Sequence, residues 1–172
     1  MRTKLALIGM ILAGIVGCAH MGGIEEKEQI YGKNPPVIEQ SFASDQLMPG
    51  EQWKIYVRAS DPDGDMETIF AVVEQAGIGS YPVGITRIKG EIAKELSGYV
   101  FLNTRGYDFL DNQKLSVSIE IRDKAGHSSQ SVTHSVVLSS RQTQKSPPGG
   151  VFKEIDLGPI MVTLRPVSGS PR

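Results

Sequence analysis

Cysteine is nearly absent from this chain: Cys18 is the only one. Disulfides need pairs, so a disulfide framework inside the fold is excluded. The lone thiol is left for an intermolecular bond, a free state or a modification. Aromatic residues make up 6% of the chain, with one Trp, which gives little material for an exposed aromatic platform. No charge sign dominates, since the net charge is −1. Without Arg2 and Lys4, 16 basic side chains face 19 acidic ones in the rest of the chain. With no basic stripe and no basic residues interleaved with aromatics, nucleic acid is excluded as an expected partner. Long apolar runs are also missing. The longest, Leu5 to Val16, has 12 residues. As a helix it would cover roughly 18 Å, well short of the ~30 Å hydrocarbon core of a bilayer. A stable transmembrane span is disfavoured.

Signatures of chemistry are equally sparse. His20, His127 and His134 share no metal-ligand spacing, and no second Cys completes a zinc site. For His134 an ordinary strand residue with ordinary partners is expected. No serine stands in a nucleophile-elbow pattern. Gly77-Ile78-Gly79 is too short a glycine signal for a phosphate loop. The expectation is a protein that is not an enzyme.

What the chain does have begins at its N-terminus. Met1-Arg2-Thr3-Lys4 is basic, Leu5 to Val16 is apolar, and Gly17-Cys18-Ala19-His20 follows. A basic start before a 7–15-residue apolar stretch reads as a secretory signal. Ile15-Val16-Gly17-Cys18 resembles the lipobox of bacterial lipoproteins, with an aliphatic residue three places before Cys and a small one directly before it. Val16 departs from the commoner Ala or Ser. The resemblance implies a diacylglyceryl group on Cys18, cleavage between Gly17 and Cys18, and acylation of the new amine. Two or three acyl chains give stable anchoring where one is marginal. Ala19, where an Asp would favour inner-membrane retention, implies the outer membrane if the host is Gram-negative. Residues 18–34 are expected to be the lipidated Cys and a flexible tether. Its Glu25-Glu26-Lys27-Glu28 run reads as solvated linker rather than a helical turn, and its reach when extended is up to ~58 Å.

From Pro35-Pro36 onward the dominant period is two. Trp53, Ile55, Val57 and Ala59 alternate with Gln52, Lys54, Tyr56 and Arg58. Leu115, Val117, Ile119 and Ile121 alternate with Ser116, Ser118, Glu120 and Arg122. Such segments are strands with one face on a core and one in water. Weaker candidates at 37–43, 68–75, 83–89, 98–103 and 131–138 bring the total to about seven, separated by Gly, Pro, Asp and Asn clusters. Helical patterning is scarce, and 91–97 allows one turn at most. Asp61-Pro62-Asp63-Gly64 suits a type I turn. Asp123-Lys124-Ala125-Gly126 joins 115–122 to 128–138 as a hairpin.

These turns, with Pro35-Pro36, Ala59-Ser60-Asp61-Pro62-Asp63-Gly64-Asp65 and Leu115 through His127, resemble bacterial immunoglobulin-like domains, in the broad sense that includes fibronectin type III and cadherin-like modules. The resemblance covers residues 35–140 and implies an antiparallel β-sandwich. It departs from antibody domains in lacking the Cys pair and in carrying its Trp on the second strand. Residues 141–150 read as a Pro/Gly linker. In 151–172, Ile160, Val162 and Leu164 fall on one side of a further strand, either folded back on the domain edge or offered to a partner sheet. The first is favoured, because a free apolar strand invites aggregation.

One cluster points to a ligand. Asp61, Asp63 and Asp65 alternate as the first ligands of an EF-hand do, and Ca²⁺ needs six to eight oxygens. The rest of that loop fails, with Met66 where Gly is required and Val72 where Glu is required. In a sandwich, however, the loops after the second and sixth strands share one end, so Asp123 is expected to approach the three and supply a fourth carboxylate. The default alternative is that Asp61 and Asp123 only hydrogen-bond within their own turns. No other cofactor is expected. The function expected is that of a membrane-anchored envelope lipoprotein whose domain is a non-enzymatic binding or structural module, with a protein partner in the envelope. An accessory subunit of a transport or secretion complex is the second reading, and a surface adhesin the third.

Overall fold

A computed structural model describes residues 23–105 and 112–167. The expected signal peptide and Cys18, with the Gly17–Cys18 cleavage point, lie outside the described residues. Among the described residues a short helix, α1 (Ile24–Tyr31), is followed by ten strands: β1 (Val37–Ala43), β2 (Gln46–Leu47), β3 (Gln52–Ser60), β4 (Met66–Gln75), β5 (Gly79–Ser80), β6 (Gly84–Arg87), β7 (Glu95–Asn103), β8 (Lys114–Asp123), β9 (Val132–Leu138) and β10 (Asp156–Pro159). A single 3₁₀ turn, Gly90–Ile92, precedes β7.

Two sheets face each other as an all-β sandwich. One runs β1-β3-β7-β10; the other runs β2-β9-β8-β4-β5, with β6 also on β4. The seven expected strands are β1, β3, β4, β6, β7, β8 and β9, and β2, β5 and β10 are short additions. All pairings among the seven are antiparallel. The two parallel ones, β10 with β7 and β2 with β9, sit at sheet edges. β5 and β6 pair successive stretches of β4, and Pro82, which has no N–H to give a ladder, lies between them.

Period-two patterning sets the core. Trp53, Ile55, Val57 and Ala59 of β3 and Leu96, Val100 and Leu102 of β7 pack on Ile69, Ala71 and Val73 of β4 and Leu115, Val117, Ile119 and Ile121 of β8. One residue of the polar face departs from its expected place. Tyr56 is buried because the C-terminal segment crosses it. The Phe152 and Tyr99 rings lie tilted against it, with centroids 5.7 Å and 5.4 Å away, while its hydroxyl donates to Glu154.

The C-terminal region is part of the sandwich. Residues 141–150 are not a free linker: Gln144 bonds the backbone of Gln52 and Lys54, and the Lys145 amide donates to Ser44 Oγ. The chain then climbs the outer face of the first sheet, turns, and runs down beside β7 as β10. The ladder stops at Pro159, but the apolar alternation continues to act. Ile160 and Leu164 are buried in the core and Val162 packs against it. Arg165 closes the segment by donating its amide to the Tyr81 hydroxyl. The tail thus fills the gap between the β7 and β6 edges, which would otherwise expose core.

That docking depends on Gly98. A Cβ there would lie 2.5 Å from the Ile155 carbonyl oxygen and 2.9 Å from the Leu157 side chain. Gly98→Ala is expected to cost about 1–3 kcal/mol through overpacking and to free the tail. Limited proteolysis should then cut between 145 and 160 well before global unfolding; an unchanged cleavage rate would contradict this placement.

Candidate metal centre

At one pole, where β3 crosses to β4 and β8 turns into β9, three carboxylates converge. Asp61 follows β3, Asp65 precedes β4, and Asp123 ends β8. Their accessibilities are 1%, 6% and 2%. One carboxylate oxygen from each lies within 4.8 Å of the others. The expected meeting of the two loops therefore occurs, and three of the four acids proposed from sequence share it.

Each carboxylate is oriented by its own turn. Asp61 Oδ1 accepts from the amides of Asp63 (2.9 Å) and Gly64 (3.3 Å). Asp65 Oδ2 accepts from the Lys124 amide at 3.2 Å, which ties one loop to the other. Asp123 Oδ1 accepts from the amides of Gly126 (2.6 Å) and His127 (2.7 Å). Gly64 and Gly126 complete these turns at φ +75° and +107°, a region L-residues avoid. The default reading of the aspartates as turn residues is thus realised, but it uses only part of each carboxylate. Asp61 Oδ2 and Asp65 Oδ1 are buried and have no hydrogen-bond partner.

Asp63 does not join them. Its carboxylate accepts from the Asn34 amide (2.8 Å) and side chain (3.0 Å), which hold it below the usual carboxylate range. In an Asp-Pro-Asp-Gly turn the alternate acid points outward. The EF-hand analogy fails for the same geometric reason, since Met66 and Val72 lie in β4 and not in a loop.

The helix α1 corrects the expectation of a solvated linker. Residues 24–31 are helical, and no α1 side chain is buried. Three contacts seat the helix. Glu28 Oε1 meets His127 Nε2 at 3.0 Å, Lys124 Nζ lies 5.6 Å above the Tyr31 ring, and Ile24 rests over Gly126. Beyond the helix, Gly32 passes so close to Asp63 that a Cβ there would overlap the carboxylate. His127 Nδ1 meets Asp123 Oδ2 at 2.9 Å, so the imidazole bridges Glu28 and Asp123, and these two acids raise its pKa. Sequence reasoning missed Glu28 and His127 as a pair, because 99 residues separate them and neither lies in a motif.

Electrostatically the pole is unbalanced. His127 bonds Asp123 and Glu28, but no cation contacts the free oxygens of Asp61 or Asp65 among the described residues. Burial, then the charges of Asp61 and Asp123, push the Asp65 carboxyl up to about 6. His134, by contrast, is an ordinary strand residue. Its Nε2 meets Ser41 Oγ at 3.0 Å across the sheets, and burial lowers its pKa.

No family model matches the chain, and no curated protein is similar to it in sequence. Among the described residues, no helix is long and apolar enough to cross a membrane.

Proposed function

We propose that the protein is a lipid-anchored component of the bacterial cell envelope whose sandwich is a non-enzymatic binding or structural module. The observation that carries this reading is the order of Arg2 and Lys4, the apolar run Leu5 to Val16, and Ile15-Val16-Gly17-Cys18. The lipobox resemblance makes Cys18 the acylated residue, and acyl chains supply the membrane affinity that a 12-residue apolar run cannot. The outer membrane is the destination that Ala19 favours in a Gram-negative host.

Anchoring at Cys18 sets how the domain is presented. Because α1 is seated on the acidic pole, the chain enters the domain at that end. The C-terminal segment, with Ile160 and Leu164 in the core, is not a free strand for a partner. Partner contacts fall instead on exposed strand edges.

Mass spectrometry of the mature N-terminus from the membrane fraction tests the anchor. The expected result is a diacylglyceryl-modified Cys18 with no peptide from residues 1–17, and a Cys18→Ser variant that is uncleaved and lacks the lipid mass. An uncleaved wild-type leader, or an unmodified thiol, overturns the reading.

A further inference from the structure

We propose that Asp61, Asp65 and Asp123 form a binding site for a hard divalent cation, Ca²⁺ in the first instance, buried at the pole where α1 is seated. This inference is independent of the lipid anchor.

Two observations carry it together. The first is geometric. Three carboxylate oxygens from two loops lie within 4.8 Å of one another, which is the spread allowed around one Ca²⁺ with ligands at about 2.3–2.6 Å. The second is the state of those oxygens. In Asp61 and in Asp65 a backbone amide takes one oxygen, while the other is buried with no partner. Carboxylates pinned through one oxygen and aimed through the other are how ligands are oriented around a metal. Asp123 is held by two amides at Oδ1 and by His127 at Oδ2. That imidazole bond leaves Oδ2 a further lone pair.

The chemistry of the donors selects the cation. All three are carboxylate oxygens, with no sulfur, and the His127 nitrogens are engaged by Asp123 and Glu28. Oxygen-only sites suit Ca²⁺ and Mg²⁺ over zinc or copper. Three carboxylates fall short of the six to eight oxygens of Ca²⁺, so backbone carbonyls or water complete the shell. The competing account is one proton shared between Asp61 and Asp65, and it makes a different prediction for amide variants. A cation site loses a charged ligand when Asp becomes Asn. A proton-sharing pair loses a buried charge and keeps its hydrogen bond.

The experiment uses the full-length protein in detergent, stripped with chelator and titrated with Ca²⁺ and then Mg²⁺ by calorimetry, with thermal melts in parallel. The expected result is one Ca²⁺ per chain, a melting temperature several degrees higher with Ca²⁺ than with chelator, and affinity reduced more than about tenfold in Asp61→Asn and Asp65→Asn. Asp63→Asn, whose side chain faces Asn34, should bind as the wild type does. Three outcomes overturn the proposal: no heat and no melting shift with either cation; binding unchanged in both Asn variants; or an Asp65→Asn protein at least as stable as wild type in chelator and in Ca²⁺ alike. If an Asn variant does not fold, the wild-type titration alone decides, since absent binding rejects the site.

Discussion

Trp53→Ala is expected to lower the unfolding free energy by about 3–5 kcal/mol, a large share of the roughly 5–15 kcal/mol that a single domain possesses. Trp53 is fully buried in β3, where it pairs with Leu102 of β7. Its indole N–H also donates to the Ser44 carbonyl at 2.9 Å. Ser44 is itself 1% exposed, and its hydroxyl receives the amides of Gln46 and Lys145. The indole therefore both fills the core and holds the β1–β2 corner to which the C-terminal segment is tied. Truncation leaves a cavity and a buried carbonyl without its donor. Trp53→Phe separates the two effects: it keeps most of the volume and should cost about 1–3 kcal/mol for the orphaned carbonyl and the smaller ring. Urea titration of both variants checks the pair, and a loss under about 1 kcal/mol for Trp53→Ala would show that the corner does not depend on the indole.

Such side chains are legible in the sequence, because period-two alternation over nine or ten residues reports both the strand and its buried face. β3 and β8 follow from that rule alone. The meeting of Asp61, Asp65 and Asp123 followed from topology, since the turns after β3 and β8 lie at one pole of a sandwich. Three features were not legible, each because a distant segment decides it. Tyr56 alternates with the polar residues of β3, and only the passage of Phe152 over it removes it from water. The Ile24–Tyr31 segment has no apolar face to mark a docked helix; its seating comes from Glu28 finding His127. Asp63 has the same spacing from its neighbours as a ligand would, but Asn34 captures it. Alternation identifies what a residue's own strand does with it, and cannot identify what crosses over that strand.

In chelator, the protein should be more stable at pH 5 than at pH 7.5, the reverse of the usual behaviour of domains rich in surface carboxylates. The cause is Asp65. Its folded-state pKa is pushed up to about 6 from 3.8, by burial first and then by Asp61 and Asp123. A carboxyl with a raised pKa binds its proton more tightly when folded, so stability falls as pH rises from about 4 through about 6. Part of that fall lies below pH 5, and the share between pH 5 and 7.5 is on the order of 1 kcal/mol. His127 adds to the same slope. Its pKa is raised by Glu28 and Asp123, so the stability of that bridge is present at low pH and lost as the pH climbs through the folded value. Asp63 and Glu154 work the other way, because their partners lower their pKa values, but they give up stability only near or below pH 4. His134 acts against Asp65 and His127 inside the window, because burial lowers its pKa and the folded state gives up stability as the pH falls through 6.5. Asp65 and His127 together outweigh that single group, so the buried pole sets the sign between pH 5 and 7.5. A cation at Asp61, Asp65 and Asp123 replaces the missing positive charge, so Ca²⁺ should restore the lost stability at pH 7.5 and add little at pH 5, where protons compete for Asp65. Thermal melts at the two pH values, each with chelator and with Ca²⁺, check all four corners. A melting temperature in chelator that is flat or rises between pH 5 and 7.5 would mean that Asp65 is not held as the geometry requires.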